Sequence, residues 1–424
     1  MEKKEVLVKV EFKGTIIDGI LLNEDEKYLV VKLSSGYNSN LKKENIKIIS
    51  KKEKIVTVKT LPINSNSKNL PNIVVLHTGG TIASKVDYET GAVNSKFTPE
   101  ELLALYPELN NIANLFPEMI ANLSSEDMRF GHWNKLLKSI ENHINNNVDG
   151  IIISHGTDTM HYTSSALHYA LKNLPCPILL VGAQRSSDRA SSDAFLNLKA
   201  AVEFIVENSK KNKSYRRVGI CMHNTISDEE FVILDGINTK KMHSSRRDAF
   251  KQINYNPYAI KKEKLEILRP DLETIKSEKK LKIVLYNEKL NIGIFYAHPN
   301  LNPKEIENLS FYDGLVIAGT GLGHIAVSEF DDLTKINKKN LEAIKNLLKT
   351  TKIVVGVQTV YGKTNMDIYS SGRHLKNTGV LGQHMSLILE TLFSRIAHCL
   401  SSENFDETWS KNLEGFDMVN LDIS

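Results

Sequence analysis

The sequence has few cysteines and none in a metal-binding pattern. Cys176, Cys221 and Cys399 are its three cysteines; they are far apart, and no Cys-x-x-Cys pair occurs. A disulfide scaffold is therefore excluded, and the spacing argues against a structural zinc site of the cysteine type. So few cysteines in a long chain are typical of a reducing compartment, and we expect a cytoplasmic protein.

Excess charge and long apolar runs are also scarce. The 54 Lys and Arg residues exceed the 50 Asp and Glu residues by too little to indicate nucleic-acid binding by themselves. No uninterrupted apolar run approaches the roughly 20 residues that cross a bilayer. The first residues, MEKKEVLVKVEFKG, carry no apolar signal core, so neither a signal peptide nor a membrane segment is expected.

What is present is the composition of a folded protein. Hydrophobic residues make up 41% and charged residues 25% of the 424 residues, a length that suits two or three domains. The N-terminal part contains short β-branched runs, separated by turn-like polar stretches, at 5–11, 14–22, 27–33 and 45–50. These runs predict a small all-β barrel over residues 1–63, followed by a polar linker at 64–69.

From residue 71 the pattern changes to alternating apolar strands and helices. Buried strands are predicted at 72–80, 149–158, 177–184 and 216–224. The last helix between them, at 192–209, has Ser192 as its expected N-cap. A second, shorter series has strands at 291–299, 313–321 and 352–359 and a helix at 338–350.

The alternation predicts an α/β fold in which the all-β barrel precedes a core of two domains built on mostly parallel sheets. We place the two core domains at residues 71–268 and 284–400. The charged stretch 261–280 is expected to be an exposed connection, and residues 401–424 form a tail to which no structure is assigned.

Ligands of open parallel sheets bind where the strands end, so the loops after the strands are the candidate site. Three such loops carry hydroxyl, glycine and amide groups: Thr78 to Thr81, His155 to Thr159, and Gln184 to Ser186. Adjacent glycines allow close backbone approach and offer N–H groups to a developing negative charge. Each loop alone could be a simple turn, with Asp158 as a helix cap, but together they indicate function.

Several other chemistries are less consistent with the sequence. The loop HTGGTIA lacks the GxxxxGK[ST] spacing of a phosphate loop, and IAGTGLGHI has His324 where a dinucleotide loop needs glycine. A metal cluster of His155, Asp158 and His161 lacks a supporting motif, and we expect no metal site. A threonine nucleophile would need a base, for which Lys240 and Lys241 are candidates unless this basic stretch is simply a solvated face.

The motifs VVLHTGGTIAS, SHGTDTMHYT and LVGAQRSSDRASSDAFLNL resemble the L-asparaginase family of threonine amidohydrolases over about residues 71–400. Three further features narrow the resemblance to the GatD family, whose members belong to archaeal glutamyl-tRNA(Gln) amidotransferases. They are KMHSSRRDAF, QTVYGKTNMDIYSSGR and an all-β extension with SGYN, which stands here as Ser35, Gly36, Tyr37 and Asn38. The core domains are therefore expected to be asparaginase-like.

The resemblance implies a role for each matching residue. The expected catalytic residues are the nucleophile Thr81 and a relay of Thr157, Asp158 and Lys241, in which a neutral lysine takes a proton from a hydroxyl. The expected substrate-binding residues are Ser125, Glu126, Gly80 and Gly156, and Tyr88 is a possible lid residue.

The resemblance also implies a partner. An amidohydrolase subunit of this kind releases ammonia from Gln or Asn through a threonyl ester. A second protein, GatE, then uses ATP and Mg²⁺ at its own site to convert Glu-tRNA(Gln) into Gln-tRNA(Gln). The tRNA is expected to be bound mainly by GatE. No cofactor is expected in this chain, and a homodimer within a heterotetramer is implied. The alternatives are a free-standing L-asparaginase and a catalytically inactive binding protein on the same fold.

Overall fold

The computed structural model describes residues 2–33, 38–57, 69–80, 84–86, 93–95, 107–185 and 192–414. The N-terminal strands are β1 (Glu2–Phe12), β2 (Thr15–Glu24), β3 (Tyr28–Leu33), β4 (Asn38–Lys42) and β5 (Ile46–Thr57). They form one antiparallel sheet in the order β4-β3-β2-β1-β5. Within the described residues β4 and β5 are not paired with each other, so this sheet is a half-barrel.

The half-barrel has a small core on one face of the sheet. Its buried side chains are Val8, Val10, Leu29, Val31 and Leu41. The alternating positions along β1 and β3 fit strands with one buried and one solvated face. The prediction of an all-β N-terminal unit is confirmed, although β4 falls where the sequence indicated a turn. Residues 34–37, which include most of the SGYN motif, lie outside the described residues.

The next part of the chain, which we call the first unit, is built around an eight-stranded sheet with helices on both faces. Its strands and those of the small sheets beside it are β6 (Asn72–Gly79), β7 (Ser84–Val86), β8 (Val93–Ser95), β9 (Asn114–Leu123), β10 (Gly150–Ser154), β11 (Leu171–Lys172), β12 (Ile178–Val181), β13 (Lys213–Tyr215), β14 (Val218–His223), β15 (Phe231–Asp235), β16 (Thr239–Lys241), β17 (Phe250–Gln252), β18 (Ala259–Lys261), β19 (Leu265–Ile267), β20 (Glu273–Ile275) and β21 (Lys282–Ile283). The helices are α1 (Phe130–Asn145), α2 (Met160–Ala170) and α3 (Ala194–Ser209).

The large sheet has the order β19-β18-β15-β14-β12-β10-β6-β9. It is parallel from β9 to β14 and antiparallel from β14 to β19. All four strands predicted for this part, now β6, β10, β12 and β14, are confirmed. Strand β9 was missed because it is only partly buried and contains Pro117, so its apolar pattern is weak.

Successive residues of the central strands face two different cores. Ile73 and Val75 of β6 pack in a layer with α3, whereas Val74 and Leu76 pack in a layer with α1 and α2. Burial on both faces explains the continuous apolar runs of these strands. These strands pair in parallel, so their carboxyl ends, which carry the candidate loops, lie at the same edge of the sheet.

A second unit contains a three-stranded parallel sheet of β22 (Ile292–Tyr296), β23 (Gly314–Gly319) and β24 (Lys352–Val357), as predicted. Its helices are α4 (Pro303–Glu307), α5 (Asn337–Leu347), α6 (Ser370–Lys376), α7 (Leu389–Ser401) and α8 (Phe405–Ser410). Helix α7 lies against the first unit, where Ser394 Oγ donates to the carbonyl of Tyr162 at 3.2 Å. The charged stretch 261–280 is mostly exposed, as expected, but it includes β19, β20 and the buried Leu272.

Residues after α8 are clamped to α7 by a buried ion pair and to α2 by a hydrogen bond. Glu414 Oε1 lies 2.5 Å from Arg395 Nη1, and the two side chains are only 4% and 6% exposed. The hydroxyl of Tyr169 donates to the same carboxylate oxygen at 3.0 Å, and Arg217 Nη2 donates to the carbonyl of Glu414 at 2.8 Å. Part of the tail, which had no assigned structure, is therefore integral to the core.

We expect Glu414→Gln to lower the free energy of unfolding by about 3–5 kcal/mol, because it leaves the buried Arg395 without its counter-charge. A urea titration followed by circular dichroism measures the change. Glu407→Gln is the matched control, since the Glu407–Lys411 pair is 2.7 Å long but more than half exposed on both sides and should contribute little. Equal effects of the two substitutions would contradict a stabilising role for the clamp.

Candidate active site

Three loops meet at the carboxyl ends of β6 and β10. Gly79 and Gly80 have φ angles of +104° and +83°, which favour glycine. A Cβ on Gly80 would lie 2.5 Å from Gly156 Cα, and a Cβ on Gly156 would lie 2.7 Å from Ser125 Cβ. The glycines therefore bring the loop after β6, the loop after β10 and the turn at Ser125–Asp127 into direct contact.

A buried hydrogen-bond chain holds the loop after β10. Trp133 Nε1 donates to Thr163 Oγ1 at 3.0 Å, Thr163 Oγ1 lies 2.9 Å from His155 Nε2, and His155 Nδ1 lies 2.7 Å from the carbonyl of Gly156. Burial lowers the pKa of His155 from 6.5 to about 4, so the ring is neutral. With Nδ1–H donating and Nε2 accepting, both ring nitrogens are used, and His155 supports the loop.

Lys241 brings the predicted relay together. Its Nζ donates to Thr157 Oγ1 at 2.9 Å and to Asp158 Oδ1 at 2.6 Å. The lysine side chain is 9% exposed, whereas that of Asp158 is 66% exposed and open to a ligand. The arrangement can pass a proton between a hydroxyl and an amine while a carboxylate balances the charge. The assignment of these three residues to a relay remains a prediction.

Ser125 and Glu126, the predicted binders, lie in the turn that touches Gly156. Ser125 Oγ is buried and has no hydrogen-bond partner among the described residues. Thr159 Oγ1 donates to the carbonyl of Ser125 at 2.6 Å, which ties this turn to the start of α2. Glu126 is exposed. A buried hydroxyl without a partner is suited to a polar group of a ligand.

Sequence reasoning missed a buried carboxylate that organises the loop after β12. Asp193 is fully buried and accepts hydrogen bonds from the backbone N–H groups of Gln184 and Arg185 at 3.0–3.1 Å. Gln184 Oε1 in turn lies 3.5 Å from Thr157 Oγ1. Asp193, and not Ser192, stands at the N-cap of α3. Its carboxylate does not cap the helix backbone, but it also accepts a hydrogen bond from Asn197 Nδ2 of α3 at 3.3 Å. The sequence analysis placed the cap at Ser192 and attached no role to Asp193.

The nucleophile candidate Thr81 and the lid candidate Tyr88 lie outside the described residues, as does Ser186. Gly80, which directly precedes Thr81 in the chain, lies at the contact of the loops. In the part of the chain that the structure describes, no group of three or more His, Cys, Asp and Glu side chains could hold a metal ion. No helix among those residues is both long and apolar enough to cross a membrane.

Comparison with known proteins shows the class of enzyme that this chain resembles. Residues 72–272 match the family described as Asparaginase, N-terminal. The L-asparaginase of Thermococcus kodakarensis superimposes with a TM-score of 0.66 at 25% identity, covering 81% of this chain and 98% of that one. L-asparaginase I of Vibrio cholerae shares the fold, with a TM-score of 0.68 at 21% identity over 84% of this chain and 100% of its own. The fold and the matched family thus define an asparaginase-type amidohydrolase.

Relatives that match this chain over nearly its whole length identify a narrower family. GatD of Methanococcus vannielii, a subunit of its glutamyl-tRNA(Gln) amidotransferase, is 38% identical over 96% of this chain and 95% of its own. The GatD proteins of Methanosphaera stadtmanae and Pyrococcus furiosus are 39% and 36% identical, over 89% and 93% of this chain and 84% and 87% of their own. The chain belongs to the GatD family of glutamyl-tRNA(Gln) amidotransferase subunits.

Proposed function

We propose that this chain releases ammonia from the side-chain amide of Gln or Asn and supplies it for the conversion of Glu-tRNA(Gln) into Gln-tRNA(Gln). The observation that carries the proposal is the contact of Lys241 with Thr157 and Asp158 in a protein of this family. Members of the GatD family are subunits, so we infer that this chain is one component of a larger amidotransferase. The partner that we propose is GatE.

The proposed chemistry begins with attack of the Thr81 hydroxyl on the amide carbonyl carbon. The proton of the hydroxyl passes to the relay, where Lys241 in its neutral form accepts it through Thr157. Backbone N–H groups of the glycine loops stabilise the oxyanion of the tetrahedral intermediate. Collapse of the intermediate breaks the C–N bond, and the nitrogen leaves as ammonia with the transferred proton. Water then hydrolyses the threonyl ester and regenerates the hydroxyl.

The proposed substrate orientation follows from the charges at the site. The exposed carboxylate of Asp158 would pair with the α-ammonium group, since a charged hydrogen bond is among the stronger polar contacts. The Ser125 hydroxyl and Glu126 would hold the rest of the amino-acid end, and Gly80 and Gly156 would face the amide. Tyr88 would close over the bound substrate.

We assign ATP and Mg²⁺ to GatE, because this sequence has no GxxxxGK[ST] loop. The small net charge of +4 fits a chain that leaves most tRNA contacts to its partner. Cys176, Cys221 and Cys399 are free thiols, which supports a cytoplasmic location. We propose a homodimer within a heterotetramer and no stable attachment to membranes.

The deciding experiment combines the purified chain, GatE, ATP, Mg²⁺, Glu-tRNA(Gln) and glutamine or asparagine, and measures Gln-tRNA(Gln). We expect product with an amide donor, and also with ammonium chloride in its place, because free ammonia bypasses the amidohydrolase step. Product with ammonium chloride but with neither amide donor would exclude the proposed activity. Fast asparagine hydrolysis without partner or tRNA, together with no Gln-tRNA(Gln), would indicate a free-standing L-asparaginase.

A further inference from the structure

The residue before β16 is held by the start of α7. Asn238 donates its backbone N–H to Thr391 Oγ1 at 3.0 Å and its Nδ2 to the carbonyl of Ser386 at 2.8 Å, while its Oδ1 accepts from the backbone N–H of Ile388 at 3.0 Å. Asn238 and Thr391 are fully buried, and the φ angle of Asn238 is +52°. The strand that ends at Lys241 is therefore anchored on the second unit.

A second contact with α7 is made one residue before the relay lysine. Lys240 Nζ donates to Glu390 Oε1, and the carboxylate is 10% exposed. Successive side chains of a strand point to opposite sides. When Lys240 points to Glu390, Lys241 is directed to the other side of β16, where Thr157 and Asp158 lie.

Glu390 also lies beside the helix that follows Asp158. His161, in the first turn of α2, has its Nε2 3.9 Å from Glu390 Oε1. Burial lowers the pKa of His161 to about 4, so the ring is neutral and Lys240 is the charged partner of Glu390. In the same region Ser165 Oγ of α2 lies 3.2 Å from Thr391 Oγ1. Glu390 and Thr391 thus contact the segment 238–241, which contains Lys241, and the helix α2, which follows Thr157 and Asp158.

We propose that Glu390 and Thr391 are positioning residues for amide hydrolysis. They hold β16 and α2 so that Lys241 Nζ stays within hydrogen-bond distance of Thr157 and Asp158. The inference rests on the proposed function, because it concerns the same relay. Neither residue needs to touch the substrate: Glu390 acts through Lys240, and Thr391 acts through Asn238. Misplacement of a reacting group by about 1 Å can cost up to about 10²-fold in rate.

The first test compares Thr391→Val with Thr391→Ser. The valine variant removes the acceptor for the Asn238 N–H at nearly constant size, while the serine variant keeps a hydroxyl. We expect kcat for ammonia release to fall by about 10- to 100-fold with valine and by about threefold or less with serine. KM should change little in both, because Ser125 and Asp158 stay in place. Equal kcat values for the two variants would overturn the role of Thr391.

The second test uses Glu390→Gln, Lys240→Met and the double variant, and it also serves if Thr391→Val fails to fold. Each single substitution should lower kcat by about tenfold or more, and the double variant should be no worse than the poorer single one, because both act through one contact. Independent losses that multiply would overturn action through Lys240. An unchanged kcat in Glu390→Gln would overturn the role of Glu390.

Glu203→Gln is the matched control, since the Glu203–Lys261 pair of 3.2 Å joins two elements of the first unit by a partly buried contact. We expect Glu203→Gln to lower the melting temperature about as much as Glu390→Gln does, but to leave kcat equal to that of the parent chain. If Glu390→Gln lowers kcat no more than this control does, the effect is only structural. The parent chain separates the proposed function from the positioning roles. If the parent chain releases no ammonia from Gln or Asn, the proposed function fails. If the parent chain and the variants are equally active, only the positioning roles of Glu390 and Thr391 are refuted.

Discussion

Lys241→Leu is expected to lower kcat for ammonia release by about 10³-fold or more while the chain stays folded. The substitution removes the amine that bonds both Thr157 Oγ1 and Asp158 Oδ1, and positioned acid–base groups contribute about 10²–10⁴-fold. Stopped ammonia assays with saturating Gln and Asn measure the change. Circular dichroism and the melting temperature show whether the fold is retained.

Lys251→Leu is the matched control for this prediction. Lys251 lies on β17, directly opposite Lys240 in the β16–β17 pair, and its Nζ donates to the carbonyl of Asn224 at 2.9 Å. It carries the same charge on the same small sheet without reaching Thr157. A similar kcat in both variants, or near-normal ammonia release by Lys241→Leu, would contradict the relay.

Thr81→Val is expected to abolish turnover, with a loss of about 10³-fold or more, because it removes the proposed nucleophile at nearly constant size. A diazo-ketone analogue of glutamine should label the parent chain, and peptide mass mapping should find the adduct on the peptide that contains Thr81. The valine variant should remain unlabelled. Excess glutamine should protect the parent chain from the reagent.

Thr81→Ser provides the conservative comparison, since it keeps a hydroxyl at the same position. We expect it to retain measurable ammonia release and labelling, unlike the valine variant. Label on another residue, or an unlabelled Thr81 peptide from a reagent-inactivated chain, would refute a threonyl ester at this position.

The parts of the fold that were predictable are those with strong local patterns. Strands β6, β10, β12 and β14 are continuous apolar runs, since they are buried on both faces, and each was recognised. Strand β4 is polar and β9 is half-exposed, so neither has such a run. Helix α3 was recognised, but its exact start depends on the tertiary contacts of Asp193.

The candidate site was predictable where a motif carries the chemistry. The pair TGGT and GTDT indicated the loops that contain Gly80 and Gly156, and the glycine contacts explain why no larger residue fits there. The charge pattern alone did not distinguish Lys240 from Lys241, and only the family resemblance selected Lys241. Their different partners depend on which side of β16 each one faces. Glu390 and Thr391 gave no signal at all, since their contacts cross from one unit to the other.

The clamp formed by Glu414 and Arg395 has a consequence for biosynthesis. Helix α2, which follows Asp158, is covered on its Tyr169 and His168 side by residues that are translated long afterwards. Domains generally fold in order as they leave the ribosome, but this helix cannot reach its final environment until residue 414 has emerged. An incomplete nascent chain would therefore lack the finished support of the helix that follows Asp158.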